Sequence, residues 1–553
     1  MARRNAAWTV MVYLAGDNNL TTECMFALTE MKHAAFGKHL NVIAEFDPQD
    51  PHLPTHRYHI KKRGKKSFHH DIIDRAGYAA NNGEVTFKNE SLKAQALARE
   101  RKRERQLRRP ELDKACLTGP PVVQEVITDD TDTGSPITLY NFISFCLQEY
   151  PADHYLVVLS GHAGGTERDY LLRDESSARS LTFNELKNVF QRVKEDRNGK
   201  RIDIVGMDNC LMSMAEICYE LRGLAEIVVG CESFTPASGW PYREVLERLA
   251  RDCVSPKLAP QQSVAEAAAR AIVREYVNYY ANYWIAGLSV TQSALNVCKA
   301  EKLREEIDKL AQLMEQQLIE ERRASDSDGA ARLFHDELLL AHWEAQSYNG
   351  EQYVDLFDFC DRLETRLPDG AVAGQCRVVK DFLSNDFVLT SCYSGAAYQY
   401  SYGVSLYFPW SHVAPSYWNL DFVKNSDGRG WGSFLKTYTL LTRRAPRDLK
   451  ADSRLAKALN GMVEERLFAA RMMTDRMESG GSFADRMMTD RMMTDRMMTD
   501  RMMTDGMMTD RMNSGLARNY IHSMRNPPNV FFPDECLRKR RAVLTTQEML
   551  LLQ

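Results

Sequence analysis

The sequence predicts an α/β fold: a mostly parallel sheet flanked by helices, followed by a second packed subdomain and a low-complexity tail. Three observations lead to this expectation. Over the first 250 residues, short apolar runs alternate with amphipathic stretches, as in repeated β-α-β units. The runs end in Gly, Pro or polar turns, which fixes their length at that of strands. The chain of 553 residues is 44% hydrophobic and 26% charged, an ordinary globular composition.

Taken in order, Thr9–Ala15 and Val42–Phe46 are predicted strands, joined by a helix from about Leu20 to His33. Leu139–Tyr150 has helical periodicity and is ended by Pro151, and Tyr155–Ser160 is a buried strand closed by Gly161. A helix over Phe183–Lys194 leads through Asp196-Arg-Asn-Gly-Lys200 to the strand Ile202–Met207. Another helix is expected to begin near Leu211, followed by a strand at Glu226–Cys231. Right-handed crossovers make these strands parallel, with their carboxyl ends on one edge.

Residues 52–120 read as a polar insertion; seven of the eleven positions from Arg99 to Arg109 are Arg or Lys, either a solvated helix or an anion-binding or cleavable loop. Residues 1–250 are accordingly expected to form the core. Residues 251–445 form a second subdomain packed on it, with helices at Ser263–Tyr276 and Ala300–Gln317 and strand-like text at Ala286–Thr291 and Tyr402–Phe408. Residues 446–553 are linker and tail. There Arg-Met-Met-Thr-Asp begins at 471, 486, 491, 496 and 501, and 14 of the 25 methionines fall between Met472 and Met512. A period of five turns a helix by about 140° per repeat, so the methionines spiral and form no single apolar stripe. The repeat reads as low complexity, with a Met-rich contact surface as the alternative.

Charge and cysteine usage exclude several function classes. Lys+Arg 71 against Asp+Glu 75 leaves a net charge of −4, so no global field draws the chain to nucleic acid. No apolar run is long enough to span a membrane. The 12 cysteines include no Cys-x-x-Cys pair and no Cys/His quartet, which favours reduced, individually placed thiols and no metal centre. The N-terminus reads as a first strand with no convincing signal peptide; a cytoplasmic location is expected, with secretion as the alternative.

Two strand ends carry the chemistry. In Ser160-Gly-His-Ala-Gly-Gly165 a histidine leaves a buried strand into a small-residue turn whose peptide N–H groups suit an oxyanion. In Gly206-Met-Asp-Asn-Cys-Leu211 a cysteine is expected between a strand and a helix N-terminus, which would favour thiolate. Each alone is more often an ordinary core or surface residue. Together, 48 positions apart on successive parallel strands, His162 and Cys210 can meet across a substrate carbonyl.

These blocks resemble the clostripain-like cysteine peptidases, a branch of the caspase-like proteases. The matching text is Trp8-Thr-Val-Met-Val-Tyr-Leu-Ala-Gly-Asp-Asn-Asn-Leu20, Tyr150 to His162, Asp203 to Met212, Ser238-Gly-Trp-Pro-Tyr242 and Gly403-Val-Ser-Leu-Tyr-Phe-Pro409. The resemblance implies a caspase-like sheet and a catalytic pair, His162 and Cys210. The oxyanion would be held by the backbone N–H groups of Cys210 and Ala163; Ala163 stands where relatives have glycine. Asp208 would be the acidic floor of a pocket for Arg, preferred over Lys, or else an ordinary strand-end cap. The implied substrates are proteins or peptides with Arg or Lys at the cleaved bond. Relatives cut themselves between the histidine and the cysteine, where Arg179 lies in the most loop-like text. No cofactor is required; some relatives use calcium, and Asp129-Asp-Thr-Asp132 would ligate it or is a solvated turn. The competing expectation is an inactive caspase-like interaction module. A nucleotide-binding domain is disfavoured, since no Gly-x-Gly-x-x-Gly or Walker loop follows the first strand.

Overall fold

The computed structural model describes residues 6–49, 55–60, 122–126, 132–448 and 530–531, with breaks at 255, 257, 261, 282–288, 329–332, 350–351, 411 and 425–427. The basic run at 99–109, Asp129, Asp130 and the methionine repeat lie outside the described residues. The first half contains β1 (Ala6–Gly16), α1 (Thr21–His33), β2 (Leu40–Pro48), β3 (His56–Ile60), β4 (Val122–Val126), α2 (Pro136–Glu149) and β5 (Ala152–Ser160). A hairpin of β6 (Leu171–Asp174) and β7 (Arg179–Leu181) precedes α3 (Phe183–Asp196), β8 (Ile202–Asp208), α4 (Ala215–Glu220) and β9 (Ala225–Gly230). Then come α5 (Tyr242–Asp252), α6 (Val264–Ala281), β10 (Val290–Asn296), α7 (Ala300–Asp328) and α8 (Leu333–Glu344). The last stretch holds β11 (Ser347–Tyr348), β12 (Tyr353–Asp355), α9 (Leu356–Arg366), α10 (Ala371–Phe382), β13 (Val388–Ser394), β14 (Ser405–Tyr407), α11 (Trp431–Asp448) and β15 (Val530–Phe531).

Among the described residues ten strands make one sheet, in the order β15-β13-β10-β9-β8-β5-β1-β2-β3-β4. Its centre is parallel: β2 pairs with β1, β1 with β5, β5 with β8 and β8 with β9. The edges are antiparallel, β3 against β2 and β10 against both β9 and β13. Both faces are covered, which is why the central strands read as unbroken apolar runs. Trp8, Val10, Val12 and Leu14 of β1 face the layer containing α1, α5 and α6. Met11, Tyr13 and Ala15 face the opposite layer, where α2, α3, α4 and α7 pack.

Local chemistry sets the element ends. Thr182 and Glu185 form a reciprocal capping box at the start of α3, each satisfying a backbone N–H of the other's turn. Asp355 caps α9 by accepting from the N–H of Asp358.

The structure corrects four sequence expectations. No helix begins at Leu211; α4 starts at Ala215. The intervening N–H groups are taken by a neighbouring loop, that of Leu211 by the Ser233 carbonyl and those of Met212 and Ser213 by the Cys231 carbonyl. The polar region at 52–120 opens with a sheet strand, since β3 alternates buried His56, Tyr58 and Ile60 with the half-buried Arg57 and His59. The strand expected at Ala286–Thr291 begins only at Val290, residues 286–288 being outside the described set. The one at Tyr402–Phe408 shortens to Ser405–Tyr407, paired with β12.

Candidate active site

The pairing of β5 with β8 explains the spacing of 48. In this ladder Leu156 faces Ile204 and Ser160 faces Asp208, a constant offset. One step past the ladder the Asn209 side-chain amide donates to the Gly161 carbonyl at 2.7 Å, holding the two chains together. The next step is His162 and Cys210. Both line one pocket at the carboxyl edge of the sheet, together with Asp208. The three are 8%, 6% and 4% exposed respectively, so the group is recessed rather than displayed on the surface.

Cys210 sits in a turn, with Leu211 in the left-handed region at φ 60°. That conformation is costly for a branched side chain and is held by the loop after β9. Thr235 Oγ1 donates to the Asn209 carbonyl at 2.8 Å, and Cys210 Sγ lies 4.0 Å from the Thr235 carbonyl. From behind, Ser405 N–H donates to the Ser213 carbonyl at 2.8 Å and Gly403 N–H to Glu232 Oε2 at 3.0 Å. The Gly403-to-Pro409 block is therefore a buttress for the cysteine loop.

His162 Nε2 donates to Asn19 Oδ1 at 2.6 Å. An amide oxygen only accepts, so the ring proton sits on Nε2 and Nδ1 keeps its lone pair. Burial, reinforced by the Arg173 charge, pulls the imidazole pKa down to about 4. The ring is therefore neutral at neutral pH and able to take a proton. Asn19 escaped the sequence reading because nothing in the spacing of Gly16-Asp-Asn-Asn-Leu20 separates an orienting amide from a turn residue.

A stability prediction follows from the depressed pKa. The unfolded imidazole gains its proton near pH 6.5, whereas the folded one stays neutral to about 4. Stability is fully present above about pH 6.5 and is lost as pH falls towards 4, by about 3 kcal/mol. Urea unfolding of the wild type and of His162→Gln at pH 7 and pH 4.5 measures it; parallel losses in the two proteins would contradict it.

The turn after β5 is fixed by a β-bridge. Ala163 bridges Leu171, and the bridge's hydrogen bonds are made by the neighbours: Leu172 N–H to the His162 carbonyl and Gly164 N–H to the Tyr170 carbonyl. In extended chain successive N–H groups alternate in direction. The Ala163 N–H is consequently turned away from that bridge. The methyl of Ala163 is accommodated, whereas a Cβ on Gly164 would lie 2.3 Å from the Tyr170 ring.

Asp208 is held as a pocket floor. Its Oδ2 accepts from Ser160 Oγ at 3.0 Å and from Tyr242 OH at 2.8 Å. Gly239, at φ 65°, lets the loop 235–239 close over the carboxylate, since a Cβ there would lie 2.8 Å from Asp208 Oδ2. Trp240 packs against Gly206, where a Cβ would come within 2.7 Å of the indole. Ser238-Gly-Trp-Pro-Tyr242 thus frames this pocket.

The profile of the clostripain family, peptidase family C11, matches residues 12–438. The chain belongs to this family. It is similar to the clostripain of Hathewaya histolytica, with 23% identity over 138 residues that make up 22% of this chain and 25% of that protein. The match thus spans about a quarter of the curated relative's length. Among solved structures it is similar to an inactive zymogen of a C11 protease from Parabacteroides distasonis, at 18% identity and TM-score 0.49, covering 77% of this chain and 99% of that one. It is also similar to a secreted C11 cysteine protease from Bacteroides thetaiotaomicron in complex with an irreversible peptide inhibitor, at 16% identity and TM-score 0.48, covering 76% and 99%.

Two other sequence candidates of this clostripain-family chain lie outside the pocket. Arg179 opens β7 with an exposed side chain that pairs with Asp132 at 3.4 Å, and its backbone is packed against Gly134. In the acidic turn, Asp132 is already engaged: its carboxylate accepts from Gly134 N–H and Ser177 Oγ. A different trio, Asp17, Asp47 and Asp174, is buried with one carboxylate oxygen from each within 4.8 Å of the others. These residues end β1, β2 and β6, and the sequence spacing gave no sign of their convergence. Among the described residues, no helix is long and apolar enough to cross a membrane.

Proposed function

We propose that this clostripain-family chain is a cysteine endopeptidase that cleaves proteins and peptides after Arg, and less well after Lys. The observation that carries the reading is the meeting of Cys210, His162 and the Asp208 carboxylate in one pocket at the sheet edge. A neutral imidazole, protonated on Nε2 towards Asn19, takes the thiol proton on Nδ1 as the sulfur attacks the peptide carbonyl. The carbonyl oxygen becomes an oxyanion, held by the backbone N–H groups of Cys210 and Ala163. Collapse of the tetrahedral intermediate breaks the C–N bond, and the imidazolium gives its proton to the leaving amine. Water then adds to the thioester, its proton passing to His162 and on to the departing sulfur. Asp208 supplies the negative charge that selects a cationic side chain, and its planar carboxylate suits guanidinium better than ammonium.

Cleavage of a fluorogenic Arg-amide peptide by wild type and Cys210→Ala is the direct test, and self-processing is read from the same pair. Arg179, next to the exposed turn between β6 and β7, is the proposed self-cleavage point; its packing against Gly134 means that the hairpin must open first.

Calcium, where it is used, would be held by Asp17, Asp47 and Asp174. The residues fit a hard cation: all the donors are carboxylate oxygens, and Asp17 Oδ1 is buried without a hydrogen-bond partner. Burial and the neighbouring Asp174 charge push the Asp17 carboxyl pKa up, the response of an acid crowded by another acid. A bound divalent cation would supply charge neutralisation to the turn that carries Asn19. Millimolar calcium is therefore expected to raise the melting temperature of wild type and to leave that of Asp17→Asn unchanged. Equal shifts in both proteins would remove the cation from this site.

A further inference from the structure

The pocket has a second acidic wall. Leu20, which caps α1, and the helix residues Glu23, Cys24 and Ala27 line it, the i, i+3, i+4, i+7 stripe of one helix face. Three of the four are apolar or thiol side chains. The fourth is a carboxylate only 6% exposed, on the wall formed by α1, whereas Asp208 belongs to β8. Between them, Cys24 feels both charges: its thiol pKa is pushed well up by burial first, then by Glu23 and then by Asp208.

A guanidinium carries five N–H donors in a fixed planar fork. Asp208 cannot serve them all, because its Oδ2 already accepts two hydroxyl protons, from Ser160 and Tyr242. We propose that Glu23 is a second specificity-determining carboxylate, gripping the P1 guanidinium from the α1 wall while Asp208 holds it from the floor. The inference rests on the reading of the pocket as a site for basic side chains. It assigns the preference for Arg over Lys to a geometric cause: the planar fork reaches two walls at once, whereas a lysine ammonium is a single point charge.

The test compares kcat/KM for three fluorogenic peptides identical except at P1, which is arginine, lysine or citrulline. Citrulline has nearly the shape of arginine without its charge, so turnover of that peptide reports folding and chemistry separately from charge recognition. Glu23→Gln is expected to lower kcat/KM on the arginine peptide about ten- to a hundredfold. It should leave the citrulline peptide within about twofold and shrink the Arg-to-Lys ratio, and Glu23→Asp should recover part of the loss. An equal fall on arginine and citrulline, or an arginine rate unchanged by Glu23→Gln, overturns the assignment. If Asp208→Asn removes the arginine preference while Glu23→Gln does not, the basic-pocket reading stands and Glu23 alone is excluded. A wild type that prefers citrulline to arginine overturns both.

Discussion

Cys210→Ala is expected to abolish turnover of an Arg-amide peptide, a loss of about ten-thousandfold or more, with the melting temperature little changed. The expected size reflects that, among the described residues lining the pocket, one other thiol is present, that of Cys24. Burial and two carboxylates push its pKa well up, so it is inert as a thiolate. The small effect on stability has a local cause. The turn is held by backbone groups of Asn209, Leu211, Met212 and Ser213, and none of those bonds uses the cysteine sulfur. Intact mass of the two purified proteins adds a second readout, since only the wild type is expected to be cut between His162 and Cys210. If the alanine protein still turns over substrate, a nucleophile elsewhere does the chemistry and the mechanism fails.

The next largest effect is expected at the pocket floor. Asp208→Asn keeps the shape and can still accept from Ser160 and Tyr242, so the loop 235–239 should stay closed. It removes the charge proposed to face the P1 side chain. Loss of one partner from a buried, hydrogen-bonded ion pair lowers kcat/KM by about a hundredfold or more for arginine substrates. The loss should appear mostly on cationic substrates, leaving an uncharged P1 residue nearly unaffected. Undiminished selectivity for arginine in Asp208→Asn would instead make that carboxylate an ordinary strand-end group.

These effects depend on features that differed in how legible they were in the sequence. The parallel centre was plain because strands buried on both faces, such as Val10–Leu14 and Leu156–Leu159, admit few polar residues. The pairing of His162 with Cys210 was equally open, since 48 positions is the offset of the β5–β8 ladder itself. What stayed hidden was tertiary. β3 is written in polar letters, His-Arg-Tyr-His-Ile, and its alternation matters only once β2 lies beside it. The helix expected at Leu211 starts four residues later because carbonyls of Cys231 and Ser233, in the loop after β9, capture its first N–H groups, a competition no local propensity reports. Asn19 and the Asp17, Asp47 and Asp174 trio meet only because β1 and β2 lie side by side and the β6–β7 hairpin packs at their ends. Glu23 sits in a helix first turn, where an acid is unremarkable on dipole grounds.

The constant offset along β5 and β8 has one more consequence. Because the β5–β8 ladder aligns His162 with Cys210, continuity of the chain at the exposed β6–β7 turn is not what keeps them together. Severing it at Arg179 would convert one chain into two fragments that abut along one seam of a single sheet: β1, β2 and β5 from the first, β8 and β9 from the second. The cut molecule would then be a heterodimer whose subunit boundary runs between His162 and Cys210, and the proposed pair would last only as long as that boundary stays zipped.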